Sequence, residues 1–279
     1  MITYQEIYKQ VCDALIELNT QITPKVEEIL RDYTGPFSNE LKENIRIARE
    51  NRIPLCQDTG IVEFFVFKKN KFHRLDNLQS LQSILFKAVE DTYQINGYRK
   101  SVVNDPLFSR TNTKTNLPAV IHEFDVDETL YKDAPKLEIW IMVKGGGSEN
   151  LSALFMLPPS SKENVVLEAV AEHIGKSGPN ACPPISVGVG IGGTADFAML
   201  LSRLALFEHK PNIPNVIEYT EFSQKLHSSL EALKIGVQGL GTGPSIIKTK
   251  VLGYPTHIAT LPVAVSVDCY LTRTKRVAF

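Results

Sequence analysis

The sequence predicts an α/β or α+β fold: a helical N-terminal layer, then a mixed sheet with helices. Three observations support this. The first fifty residues repeat apolar side chains at three- and four-residue steps. From residue 61 onward, short β-branched and aromatic runs alternate with helical periods. Glycine and proline separate the two kinds of segment.

In chain order, residues 3–52 read as helical, with Ile7, Val11, Leu15 and Ile16, then Val26, Ile29 and Leu30, then Leu41, Ile45 and Ile47 on apolar faces. Pro24 and Thr34-Gly35-Pro36 interrupt them. A strand is expected at 61–67 after a Gly60 turn, and a helix at 78–95. Residues 99–118 are polar and broken by Pro106 and Pro118. So long a segment without a period in a compact fold is often functional. Strands follow at 119–126 and 136–144, the second ending in Gly145-Gly146-Gly147. Helices are expected at 162–175, 194–207 and 214–233, and strands at 185–191 and 258–267, with glycine turns at 236–243. No repeat, low-complexity tract or linker divides the chain, so 1–279 reads as one unit.

The composition is ordinary: 43% hydrophobic, 22% charged, formal net charge −1. No basic surplus points to nucleic acid or an anionic membrane. No apolar run reaches 18 residues, so no transmembrane helix is expected. The N-terminus lacks the pattern of a signal peptide, and the expected location is the cytoplasm. Thiols stay reduced there, so no structural disulfide is expected among Cys12, Cys56, Cys182 and Cys269.

No two cysteines have zinc-type spacing, and a lone cysteine usually behaves as a small buried hydrophobe. Their surroundings raise three of them above that. Cys56 sits in Pro54-Leu55-Cys56-Gln57-Asp58-Thr59-Gly60, where a helix gives way to a polar turn. Cys182 precedes Pro183 and Pro184, whose fixed φ angles make its position rigid. Cys269 ends an apolar run that His257 precedes. All three stand at ends of expected elements, where distant thiolates can converge on one site. A four-iron cluster held by only three of them would leave one iron available as a Lewis acid.

At these residues the chain resembles the class I fumarase and tartrate dehydratase family, in its N-terminal or alpha-subunit part. The matching stretches are PLCQDTG (54–60), VVNDPLFSRTNT (102–113), KGGGSEN (144–150), GPNACPPISVGVGIGGT (178–194), GVQGLGTG (236–243) and PTHIATLPVAV (255–265). The resemblance implies a [4Fe–4S] cluster on Cys56, Cys182 and Cys269, with one iron free of protein ligands, and reversible hydration of a dicarboxylate. Cys12 matches no motif. The resemblance also implies substrate contacts from Gln57, Asp58, Arg99, the backbone at Gly145, Gly146 and Gly147, and His257, with Asp58 and His257 in catalytic roles. Arg99 follows Tyr98 where the family has leucine, and Arg110 is the competing partner for a substrate carboxylate. Arginine suits that task because its planar fork meets a carboxylate bidentately.

Two departures stand out. Cys269 is followed by Tyr270-Leu271-Thr272-Arg273-Thr274-Lys275-Arg276 instead of histidine- or tryptophan-containing sequence. No stretch of this sequence is expected to correspond to the domain that supplies the base in single-chain members, so a separate beta subunit is expected, in an assembly of two alpha and two beta chains. Ser148-Glu149-Asn150 after the glycines favours fumarate hydratase over L(+)-tartrate dehydratase. Two readings from other classes remain. Gly188-Val189-Gly190-Ile191-Gly192-Gly193 fits the GxGxxG pattern of a nicotinamide-dependent oxidoreductase. A scaffold subunit without chemistry is the second.

Overall fold

The computed structural model describes residues 2–69 and 80–279. Three helices open the chain: α1 (Tyr4–Thr20), α2 (Pro24–Asp32) and α3 (Ser38–Asn51). The Thr3 and Thr23 hydroxyls accept the Glu6 and Val26 amides and start the first two. Pro24 opens α2, where its missing N–H costs nothing. The expected interruptions at Pro24 and 34–36 are thus real helix boundaries.

The rest alternates: β1 (Ile61–Lys69), α4 (Leu81–Ile95), β2 (Val120–Val126), β3 (Leu137–Lys144), the short α5 (Gly146–Glu149), β4 (Ala153–Leu157), α6 (Glu163–Ser177), β5 (Ile185–Gly192), α7 (Ala195–Leu204), β6 (Ile217–Glu218), α8 (Thr220–Glu231), β7 (Ile246–Tyr254), β8 (Leu261–Asp268) and β9 (Thr274–Ala278). Positions 78 and 79 of the expected fourth helix lie outside the described residues. The helix expected from 214 starts at 220, behind the two-residue β6. The strand expected from 258 starts at 261, because Thr260 N–H turns back to the His257 carbonyl at 2.9 Å.

The fold is mixed, as expected, but it contains two sheets. One has the order β2-β1-β3-β9 and the other β4-β8-β5-β7-β6. Among the described strands only β1/β2 and β5/β7 are parallel. Helices α1 and α4 cover the outer face of the first sheet through Val11, Leu15, Leu85 and Val89. Helices α6 and α8 cover the outer face of the second through Val170, Ile174, Leu226 and Leu230. Between the sheets lies α7, whose Leu201 and Leu204 join Phe65, Phe67 and Trp140 of the first sheet. Each such fully buried side chain contributes roughly 1.5–3 kcal/mol.

The β5 glycines explain how α7 fits. A Cβ on Gly188 would stand 2.1 Å from the Ser202 carbonyl, and one on Gly190 2.1 Å from the Ala198 carbonyl. The helix backbone rests directly on the strand there. The nicotinamide-binding reading of 188–193 is corrected on this ground. That motif needs its first glycines in the turn after the strand, whereas Gly188 and Gly190 lie inside β5 and their missing side chains are filled by α7.

After β8 the chain crosses from the second sheet to the first, where β9 pairs with β3. The crossing segment, 269–273, carries Cys269 and Arg273. Among the described residues no helix is long and apolar enough to cross a membrane.

Candidate active site

Four segments converge at the end of the second sheet where β5 begins and β8 ends: 54–60, 145–147, 178–184 and 268–273. Cys56 follows the buried Leu55, whose amide binds the Asn19 carbonyl of α1 at 2.8 Å. The Asp58 amide points back at the Cys56 sulfur, 3.4 Å away. Cys182 closes a 3-10 turn (Gly178–Ala181) in left-handed backbone, φ 53°. The glycine loop 236–243 braces it from behind: the Gln238 amide donates to the Pro183 carbonyl at 2.8 Å. Cys269 follows the fully buried Asp268, and the Cys182 carbonyl accepts the Tyr270 amide at 3.3 Å. The second and third cysteine segments are therefore tied directly together.

The three thiols share one electrostatic neighbourhood. Crowding pushes the Cys182 thiol up, burial first, then nearby Cys56 and Asp58. Burial, then the Asp268 carboxylate, pushes Cys269 up to about 12. The Tyr270 hydroxyl is raised by burial and then by Cys269, Cys56 and Cys182. Among the described residues no three His, Cys, Asp or Glu side chains are placed to hold a single metal ion. A cubane cluster takes each thiolate on a different iron, so its ligands stand further apart than those of one ion. Three thiols in one neighbourhood are the donor type that an iron–sulfur cluster takes. Cys12 is elsewhere, half-buried against α4 with its thiol on the Ala88 carbonyl.

Asp58 is held by its surroundings. One carboxylate oxygen accepts Gly60 N–H at 3.0 Å and the other accepts Gly146 N–H at 2.8 Å. Its carbonyl accepts the Arg273 guanidinium at 2.7 Å. A Cβ on Gly145 would stand 3.1 Å from both Asp58 Oδ2 and Arg273 Nη2, and one on Gly147 3.3 Å from the Asn180 carbonyl. The triple glycine therefore lets the backbone press against the aspartate and the Cys182 turn.

Gln57, Asp58, Arg99 and Gly146 line one cavity of about 560 Å³, together with Lys144 and Glu149. Arg99 is held by its backbone, since Thr59 Oγ1 donates to its carbonyl at 2.7 Å. Its guanidinium has no protein partner among the described residues. Arg110 does not line this cavity, and its guanidinium donates to the Pro106 carbonyl at 2.6 Å. Of the two arginines, Arg99 is the one on this cavity.

His257 is not brought to the cysteines within this chain. It lies on the exposed turn between β7 and β8, in a separate cavity with Gly193, Thr194 and Met156. Ser186 of β5 pairs with Asp268 at the cysteine end, whereas Ile191 pairs with Val263 at the other. The eight residues of β5 therefore separate His257 from the thiols by roughly 25 Å.

Two groups escaped the sequence reading as site components. Lys144 is 1% exposed, donates to the Val267 carbonyl, and has its ammonium pKa lowered by burial against the pull of Asp268. Burial raises the Asp268 carboxyl, partly offset by Lys144 and Arg273. The signals were a lysine directly before three glycines and an aspartate directly before Cys269. Within the Ser-Glu-Asn stretch, buried Ser148 donates to the Gly145 carbonyl at 3.1 Å, and Glu149 pairs with Arg203 of α7 at 2.7 Å.

The fumarate hydratase (Fumerase) family model matches residues 5–278. A protein of Methanocaldococcus jannaschii named "Putative L(+)-tartrate dehydratase subunit alpha" is 34% identical over 94% of this chain and 92% of its own length. The L(+)-tartrate dehydratase subunit alpha of Escherichia coli K12 is 32% identical, covering 94% of this chain and 82% of its own length. The chain belongs to the fumarate hydratase family of hydro-lyases. Within that family it is of the alpha-subunit type.

Proposed function

We propose that this chain is the cluster-holding alpha subunit of a dehydratase acting on L(+)-tartrate, working with a separate beta subunit. The observation that carries the reading is the meeting of three cysteine segments at the Asp58–Gly146 contact, beside a cavity that Gln57, Asp58, Arg99 and Gly146 line. The names of the relatives favour tartrate. The Ser-Glu-Asn stretch favours fumarate instead: Ser148 is tied to the Gly145 carbonyl, and Glu149, paired with Arg203, stands on the cavity wall. Malate–fumarate interconversion remains the second reading, favoured by the description of the family model.

The thiolates of Cys56, Cys182 and Cys269 would hold a [4Fe–4S] cluster, which when bound supplies Lewis acidity toward the departing hydroxyl. The chain's own groups do the positioning. Arg99 pairs with one substrate carboxylate through its two-pronged guanidinium. The exposed Gln57 amide and the Gly146 backbone orient the hydroxyl-bearing carbon. Asp58, fixed by two backbone N–H groups, accepts a hydrogen bond from the hydroxyl and keeps it aligned. Dehydration removes that hydroxyl and a proton from the neighbouring carbon. The base for this proton belongs to the beta subunit.

The test is anaerobic assay of the reconstituted chain with a beta-type subunit on L(+)-tartrate and L-malate separately. Faster dehydration of tartrate supports the proposal. Faster turnover of malate selects the second reading, and equal rates by the alpha chain alone overturn the division of labour.

A further inference from the structure

The segment between α4 and β2 holds two large apolar side chains in water: Leu107 is 72% exposed and Phe108 85%. They do not hang from a loose loop. The Asp105 carboxylate accepts the amides of Leu107, Phe108 and Ser109 at 2.9, 3.0 and 2.9 Å. Arg110 clamps the Pro106 carbonyl, Asn104 N–H binds the Thr111 carbonyl at 2.9 Å, and Thr113 N–H binds the Val102 carbonyl at 3.0 Å. The ridge is built before anything binds, so docking on it costs little further ordering. Its base is part of the catalytic cavity, whose wall includes Ser101, Val102 and Val103 beside Arg99.

We propose that the Leu107–Phe108 ridge is the docking surface for the beta subunit, and that seating this partner closes the rim of the catalytic cavity. The inference rests on the alpha-subunit reading above and names where the second chain attaches. Charge selects the occupant. Residues 99–118 carry Arg99, Lys100, Arg110 and Lys114 against the single carboxylate of Asp105, which is already taken by three amides. A two-fold contact between copies of this chain would set this cationic ridge against itself. A partner with an apolar pocket rimmed by carboxylates satisfies both the two side chains and the surrounding charge.

The experiment measures binding between the reconstituted full chain and the beta-type dehydratase subunit of the same genome, by size-exclusion chromatography and titration calorimetry. Leu107→Ser with Phe108→Ser should weaken the complex at least tenfold while leaving the circular dichroism and cluster absorption of the free chain unchanged. Lys100→Glu with Lys114→Glu should weaken it by a similar factor at low salt and by less at high salt. These changes also serve if the apolar pair fails to fold. Ile258→Ser, 91% exposed at the opposite end of the second sheet, should leave binding unchanged. Wild-type affinity in both double variants overturns the ridge while the subunit reading stands. So does loss of binding in Ile258→Ser alone. A chain that self-associates through Leu107 and Phe108 also overturns it, and no complex with the wild-type chain overturns both readings.

Discussion

The two ends of the five-stranded sheet are made from similar materials and do different things. Each end has a turn next to β5 and a cavity of similar size, about 560 Å³ at the cysteine end and about 500 Å³ at the other. At the cysteine end, backbone amides converge on Asp58, buried charges face one another, and loops are tied across the sheets. At the far end, His257 Nδ1 accepts the Ala259 amide at 3.1 Å within its own turn, and the residues around it are exposed. What distinguishes a candidate active site here is convergence of separate segments, and a cavity with a histidine does not supply it.

The largest effect that can break this comparison is at the thiols. Substituting alanine for Cys56, Cys182 or Cys269 should abolish the broad visible absorption of the anaerobically reconstituted protein, whereas Cys12→Ala should keep it. Retained absorption in Cys182→Ala would remove the cysteine end's claim. Next comes Asp58→Asn, expected to keep the absorption but lower kcat about a hundredfold or more in the complex with the beta subunit. A loss confined to KM would show that Asp58 only binds. The strand joining the two ends is tested by Gly190→Ala. Its methyl group meets the Ala198 carbonyl, so stability should fall by on the order of 3 kcal/mol, read from urea denaturation. Arg99→Leu should weaken dicarboxylate binding by about 2 kcal/mol, roughly thirtyfold, while Arg110→Leu changes it far less. The smallest effect belongs to the far end: His257→Ala should leave the cluster spectrum unchanged, and a shifted spectrum would link the two ends after all.

Much of this was legible in the sequence, and the failures share a cause. Helix boundaries at Pro24 and Gly35 follow from local chemistry, as does the alternation of β5. The strands that went unread are β4, β6, β7 and β9. In β7, Lys248 and Lys250 interrupt the apolar pattern, yet their ammonium groups are satisfied by the carbonyls of Leu206 at 2.7 Å and His209 at 2.9 Å. In β9, Lys275 and Arg276 look like solvent-facing residues, but they pair with Glu17 of α1 and Glu138 of β3. These partners lie far away in sequence, so no local window shows them. The same holds for the division into two sheets, which depends on α7 lying between them. At the candidate site, the cysteine segments that meet in the fold were singled out from their motifs. That His257 points away from them was not, because motif order carries no information about which end of a strand a loop occupies.

The crossing segment 269–273 makes one end of the candidate site depend on both sheets. Cys56 and Cys182 lie before β5, whereas the third thiol and Arg273, whose guanidinium donates to the Asp58 carbonyl, lie after β8. The segment is anchored on the second sheet by β8 and on the first by the pairing of β9 with β3. Any movement of one sheet against the other would therefore pull on Cys269 and on the clasp at Asp58 together.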